Sequence, residues 1–584
     1  MKIFAYLKLS NRDHDIESLN QDYPLLRATK NCWFACSQDL YDDEKYTIAF
    51  LGDLFNLEDL KSKYGYQSAK SEFEYLVKAV KGGTFRVEEH QGSFCIIVYE
   101  KERERFRVYT DPFGDLYPYY TVTRDFVMIS THMTDFSDAR YFRLNSKWIQ
   151  QYFRGRDAIG LETVIEGVSR LRSGHSLTIE RGRPTEHLFF DLYERIQTQL
   201  SKPRLKISLE ECTDYFSEIA SQNLQAMFRK HKKPVLFLSQ GIDSVSVFAL
   251  MVQAKLPVLS MSRIPDNDYT GDCLAMHRRI IDKFPHENHC HRIIGDRVFL
   301  ELDRSYYIQP DNNTWQTLGI NHQKSVVPSL KLGADCVISA SMGDFLFLHR
   351  TKFLFLYWIY KNKIKERSLE SLRKEFLRNF PGFEDDYAYN PHEMNERLLK
   401  LFDQADGDFW RFFTSELHIL KGVSHDRDNR LVGKISVIDP FKDTRLFDFF
   451  YLIPEDYLIL SMRHSIFQEQ MITRVFQEKI YLQKKANPFA RGLVGYKYQD
   501  VLNDDLKRAF RLIEDLGVET LDYYKSQWAE QRARGSMDLV LCRVLTFYYW
   551  YENWRAADRS VRGFWGNVGN RFANFFKFGE QKGF

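Results

Sequence analysis

Neither sign of charge dominates this chain: 82 Lys and Arg stand against 79 Asp and Glu. Such a balance makes no global field to draw in a polyanion, so nucleic acid is not an expected partner. Long apolar runs are missing too. The stretch Phe353 to Tyr360 falls well short of the roughly 18 residues that span a bilayer, and Lys361 follows it directly. A membrane is therefore not an expected partner. Residues 1–10 alternate, without the apolar core and small-residue cleavage site of a secretory leader, so a strand and a cytoplasmic protein are expected. Cysteine is sparse, eight in 584 residues, and only Cys32 and Cys36 lie close together. Their spacing suits neither a zinc pair nor a redox pair, which leaves reduced structural thiols. No internal repeat is visible.

What is abundant is apolar and aromatic: hydrophobic residues make up 44%, with 47 Phe and 33 Tyr. That composition builds large cores and excludes a disordered chain. The length calls for two or three domains. Residues 1–195 read as short alternating runs, such as Tyr46 to Phe50, Ser93 to Tyr99 and Arg105 to Tyr109, and predict a strand-rich domain. The polar stretch Arg195 to Lys206, with one proline, is the best candidate boundary. From 205 to 584 the pattern changes. Apolar positions at helical spacing over Glu210 to Arg229 alternate with apolar runs at Val235 to Leu238, Val258 to Met261 and Cys336 to Ser339. Helices interleaved with buried strands predict a doubly wound α/β sheet with its ligand at the carboxyl ends of the strands. Beyond about residue 350 the pattern is helical.

Chemistry is concentrated where two of those strands end. The loop Ser239-Gln-Gly-Ile-Asp-Ser244 joins an apolar run to a helical one. A turn of hydroxyls, glycine and one carboxylate at a helix N-terminus can present N–H groups to an anion and hold a metal, which makes a pyrophosphate with Mg2+ the natural ligand. It lacks the lysine of a Walker loop. A second strand-to-loop transition, Ser339-Ala-Ser-Met-Gly-Asp344, brings one more carboxylate, and Asp243 and Asp344 together suit one Mg2+ among phosphate oxygens. A cluster of His286, His289, Cys290 and His291 offers transition-metal ligands, but six consecutive positions at a strand entry point to opposite faces, so a metal is not expected there.

The first loop resembles the PP-loop of ATP pyrophosphatases, Ser-Gly-Gly-x-Asp-Ser, with Gln240 in place of one glycine. Paired with the second loop, it resembles the synthetase domain of class B asparagine synthetases. Val437-Ile-Asp-Pro-Phe-Lys-Asp443 and Lys484-Lys-Ala-Asn-Pro-Phe-Ala-Arg-Gly492 are similar to later segments of that family. Phe50-Leu-Gly-Asp-Leu-Phe-Asn-Leu-Glu-Asp-Leu60 and Thr110-Asp-Pro-Phe-Gly-Asp-Leu-Tyr-Pro-Tyr-Tyr120 resemble its glutaminase domain. The resemblance implies an Ntn-type sandwich of sheets between helices over 1–195, then an ATP pyrophosphatase domain with a helical extension over 205–584. It also implies ATP and Mg2+ as cofactors. Ser239, Gly241, Asp243 and Ser244 would hold the pyrophosphate, Asp243 and Asp344 the metal, and Lys485 or Lys484 the charge developing in the reaction.

Two departures alter what the resemblance implies. A glutaminase of that fold needs a cysteine as its first mature residue, and residue 2 is Lys2; the asparagine that would steady the oxyanion is Leu51. Cys32 and Cys36 are not at the chain start and do not substitute. The glutaminase domain is therefore expected to be silent, with the nucleophile supplied as ammonia or as an amine of a second or the same substrate. Relatives without the cysteine, such as β-lactam synthetase, carbapenam synthetase and lasso-peptide cyclases, close a ring on an adenylated carboxylate. By that analogy a peptide or small-molecule carboxylate, and a partner protein of a biosynthetic pathway, are expected partners. An ammonia-dependent amidotransferase and a nucleotide-binding scaffold are the alternatives. Where the family has Glu, this chain has Ser341; Asp439 is the nearby acid, as a substitute base or a solvated loop carboxylate. Asp311, Trp315 and Gln316 precede the third strand as candidate substrate contacts, and the aromatic tail Trp565 to Phe578 is expected to pack on its own domain or a partner.

Overall fold

A computed structural model describes residues 2–10, 26–138, 140–154, 162–239, 241–265, 272–293, 327–365, 368–383, 394–421, 435–480, 501–534 and 539–557. Two six-stranded antiparallel sheets occupy the first third. One runs Ser169–Arg170, Tyr119–Val122, Phe126–Ser130, Ile3–Lys8, Cys32–Cys36, Leu26–Thr29. The other runs Arg183–Leu188, His175–Glu180, Arg105–Thr110, Gly92–Glu100, Tyr46–Leu54, Asp39–Asp42. Period-two alternation sends successive side chains to opposite faces; strands such as Ile3–Lys8 and Gly92–Glu100 are buried on both, Arg105–Thr110 and His175–Glu180 bury one, and Arg183–Leu188 is largely exposed. Ile3, Ala5 and Leu7 meet Leu51, Ile97 and Val108 between the sheets. On the outside of the second sheet, Ile48, Phe50, Ile96 and Val98 are covered by the helices Leu57–Tyr64 and Glu72–Lys81.

The outer face of the first sheet is closed from far along the chain. Phe4, Tyr6, Tyr119 and Met128 pack against the helix Ser146–Phe153 and also against Leu506, Phe510, Leu545 and Trp550 of the helices Val501–Asp515 and Leu539–Ala557. Polar contacts fix the docking: Tyr524 Oη donates to the Phe153 carbonyl at 2.7 Å and Trp554 Nε1 to the Phe136 carbonyl at 2.8 Å. These C-terminal helices follow the parallel sheet in the chain but share their core with the antiparallel one.

That third sheet is parallel throughout, in the order Glu287–Ile293, Leu259–Pro265, Pro234–Leu238, Cys336–Ile338, Ser436–Ile438. The strand order reverses at Pro234–Leu238, so the switch point, where open α/β sheets bind ligands, lies between this strand and Cys336–Ile338. Ser436–Ile438 is an extra strand inside the stretch expected to be helical. The helix Leu209–Lys230 begins in a capping box, with Ser208 and Glu211 bonding each other's backbone N–H. Phenylalanine fills the space behind the sheet, with Phe216 touching the rings of Phe347 and Phe467 at 5.3 and 4.9 Å between centroids.

The stretch expected as a polar boundary, Arg195 to Lys206, begins inside a helix, Leu192–Leu200, whose Ile196 is fully buried and whose Arg195 pairs with Asp448. Polar composition described its outer face and missed the inner one. Among the described residues no helix is long and apolar enough to cross a membrane.

Candidate functional site

The loop after Pro234–Leu238 is laced by its own hydroxyls. Ser244 Oγ accepts the Ser239 N–H at 3.0 Å, and Ser239 Oγ accepts the Gly241 N–H at 3.1 Å. The two hydroxyls lie 2.9 Å apart. This turn delivers the chain into the helix Ile242–Gln253, which has no side-chain cap and carries Asp243 in its first turn. An uncapped helix N-terminus leaves N–H groups and the positive end of the dipole facing outward. Gln240 lies outside the described residues.

The second loop comes to the first from the neighbouring strand. Gly343 is essential to the approach, because a Cβ there would fall 2.3 Å from Asp243 Oδ1. Asp344, on the next residue, is engaged by Arg350 through Nη2 at 2.5 Å and Nε at 3.2 Å, both to Oδ2. Its other oxygen faces His349, whose Nε2 is 2.9 Å from Asp344 Oδ1 and 3.5 Å from Asp243 Oδ1. The backbone just before this histidine turns sharply: Leu348 has φ +55°, a left-handed conformation that leucine adopts only where its surroundings enforce it. Gln468, fully buried, donates from Nε2 to Asp243 Oδ1 at 2.8 Å.

Asp243, Asp344 and His349 are the one cluster among the described residues arranged to hold a metal, their ligand atoms all within 4.8 Å of one another. The carboxylate pair fits the divalent cation expected from the sequence, and Gly343 leaves the cradle a side chain would fill. His349 and Gln468 were missed by sequence reasoning. A histidine five residues after a loop aspartate was the available signal for the first; nothing local marks the second, which arrives from a helix 124 residues later.

Asp439 is not a solvated carboxylate. It is 3% exposed, accepts the Met342 N–H at 2.7 Å and the Phe441 N–H at 3.0 Å, and lies 3.4 Å from the hydroxyl of Ser341, which is exposed. Its loop is gripped from the antiparallel domain. Buried Lys442 pairs with Asp115 and lies 3.7 Å from Asp111 Oδ1, and Gln91 Oε1 accepts from Thr444 N at 3.1 Å. The segments 437–443 and 110–120, read as separate motifs, are one contact. Lys484, Lys485, Asp311, Trp315, Gln316 and the tail from Trp565 lie outside the described residues.

At the start of the chain, Lys2 is 3% exposed and its Nζ is 2.5 Å from Asp135 Oδ1; Ser130 also bonds this carboxylate. Its amide donates to Ser37 Oγ at 2.7 Å. Leu51 is fully buried, and the adjacent Gly52 N–H is taken by Gln38 Oε1 at 2.9 Å. Burial pushes the Cys36 thiol up to about 11 and Cys32 well above its ordinary range, so neither supplies a thiolate near neutrality. Of the histidine cluster, His286 bonds Ser260 Oγ at 2.8 Å and His289 pairs with Glu287 at 2.9 Å. The side chains of Cys290 and His291 lie outside the described residues.

Residues 33–190 match the glutamine amidotransferase domain, so the N-terminal part is of glutamine amidotransferase type. A curated relative, "Amidase chry2" of Gibberella zeae, is 24% identical over 216 residues, 36% of this chain and 30% of its own length. The chain thus matches less than a third of that relative. Two solved structures overlap weakly: glutamine phosphoribosylpyrophosphate amidotransferase from B. subtilis, complexed with ADP and GMP, at 15% identity and TM-score 0.22 over 44% of this chain and 65% of its own, and an allosteric regulatory enzyme of purine biosynthesis at 13% and 0.18 over 44% and 62%. At those scores neither bears on function.

Proposed function

We propose that this is an ATP-dependent carbon–nitrogen ligase of the asparagine synthetase type, with a glutaminase-like domain over 1–195 that no longer hydrolyses glutamine and a PP-loop synthetase domain over 205–584. The observation that carries the reading is the convergence of two strand-end loops at the switch point of a parallel sheet, with Asp243 and Asp344 brought to one cluster. In such a site a carboxylate oxygen of the substrate attacks the α-phosphorus of ATP, the bond to the bridging oxygen breaks, and pyrophosphate leaves. An amine then attacks the acyl carbon; AMP leaves and the amine's proton passes to solvent. Ser239, Gly241 and Ser244 would orient the departing phosphates. Asp243 and Asp344 would hold a divalent cation that offsets phosphate charge. Lys485 or Lys484 would meet the charge that builds at phosphorus and carbon.

Lys2 is what supports a silent first domain, since residue 2 carries an ammonium held by Asp135 and not the thiol that the resemblance calls for. The amine therefore comes from the substrate or from free ammonia, and ring closure on a peptide or small molecule is the preferred reaction. The amidotransferase-type domain favours ammonia as the second reading. Pyrophosphate release from ATP with candidate carboxylates tests the ligase, and Asp243→Ala is expected to slow it by about 100-fold or more. Release at the parental rate would sink the site. Label from 15N-ammonia entering product would select the second reading.

A further inference from the structure

We infer that His349 and Gln468 convert the expected Mg2+ position into a site for a first-row transition-metal cation of the Mn2+ class, with Asp243, Asp344 and His349 as ligands. The inference rests on the ligase reading only in placing that cation beside nucleotide phosphates. Mg2+ takes oxygen ligands almost exclusively, whereas imidazole nitrogen suits the transition series and carboxylates suit Mn2+ within it. A fully buried imidazole turned toward two carboxylates is the wrong donor for Mg2+.

Two of the three ligand spacings agree with shared ligation. Ligand atoms about 2.1 Å from one centre sit about 3.0 Å apart in octahedral and about 3.4 Å apart in tetrahedral geometry. His349 Nε2 is 2.9 Å from one carboxylate oxygen and 3.5 Å from the other. A second observation points to the same place. Gln468 is fully buried, and its Oε1 has no hydrogen-bond partner among the described residues while its Nε2 reaches Asp243. The oxygen and nitrogen of an amide are nearly the same in size, so turning the Gln468 amide over exchanges them and would present Oε1 to a cation beside Asp243. Arg350 on the far oxygen of Asp344 then serves as the outer hydrogen bond that fixes a ligating carboxylate.

Full-length protein, stripped with chelator and without nucleotide, is titrated with Mn2+ and with Mg2+, and electron spin-echo spectra are recorded on the Mn2+ form. The expected result is one Mn2+ per chain, held at least about 10-fold more tightly than Mg2+, with 14N modulation from imidazole. His349→Gln should weaken Mn2+ at least about 10-fold and remove that modulation. Bound Mn2+ without nitrogen modulation in the parent, or no Mn2+ bound without nucleotide, overturns the inference. The parent spectrum decides even if the variant does not fold. Pyrophosphate release with Mg2+ and no nitrogen signal would leave the ligase standing and end the inference. A nitrogen signal with no pyrophosphate released would do the reverse.

Discussion

Single residues show what holds the first domain together. Lys2 and Asp135 are both below 10% exposed, and removing one partner of a buried pair strands the other's charge. Lys2→Met is expected to cost about 3–5 kcal/mol in urea unfolding, and the double variant Lys2→Met/Asp135→Leu to recover most of it. His90 sets a pH limit on the same domain. Its ring lies among Tyr75, Phe85 and Phe94, its Nδ1 donates to the Arg86 carbonyl at 2.7 Å, and burial lowers its pKa to about 4. The unfolded chain, near 6.5, therefore binds the proton first. His90's contribution is complete above pH 6.5 and is lost as pH falls toward 4, by about 3 kcal/mol over that window. Urea unfolding of the parent and of His90→Phe at pH 7 and 4.5 measures it; equal losses in both would exclude His90 as the cause. Lys2 and Leu51 were legible from position alone. The partner of Lys2 was not, because Asp135 is 133 residues away and carries no mark of burial.

At the scale of elements, the short segment after Ser436–Ile438 links two distant halves. Asp439 holds the backbone of the second loop at Met342, while Lys442 and Thr444 reach Asp115 and Gln91 of the antiparallel domain. Lys442→Met leaves Asp111 and Asp115 buried without their cation, and a loss of about 3–5 kcal/mol is expected. Because Asp439 is only three residues away, pyrophosphate release should fall as well, a joint change that stopped-flow assays and thermal melts would register. Unchanged turnover with reduced stability would show that the segment braces the domains without shaping the loop. The two strand-end loops were readable in sequence because an apolar run broken by serine, glycine and aspartate is a local pattern. His349 was not, since its place depends on the left-handed turn at Leu348, and Gln468 comes from a helix whose packing no periodicity states. The helix Leu192–Leu200, which runs into the polar stretch at Arg195, was not legible for a related reason: Leu192 and Ile196, among polar neighbours, are the residues it buries.

At the scale of the molecule, the antiparallel sandwich is completed by the end of the chain. Alternation predicted its strands, but sequence order did not reveal that Ile3–Lys8 is buried on both faces or that Leu506, Leu545 and Trp550 supply part of the cover. A chain ending at residue 500 is expected to expose Phe4, Tyr6 and Met128, bind hydrophobic dye and aggregate, whereas the full chain does neither. Recovery of the shortened chain as a folded monomer would contradict this. The same closure sets a timetable for synthesis. Roughly 350 residues separate Leu188, where the sheets end, from Leu539, where the last covering helix begins; at about 5–20 residues per second the ribosome needs on the order of 20–70 s to make them. Through most of that interval the outer face of the first sheet has only the helix Ser146–Phe153 over it, and the nascent chain cannot finish its first domain before the helix Leu539–Ala557 emerges. The protein is thus expected to depend on chaperones during translation far more than during refolding of the finished chain.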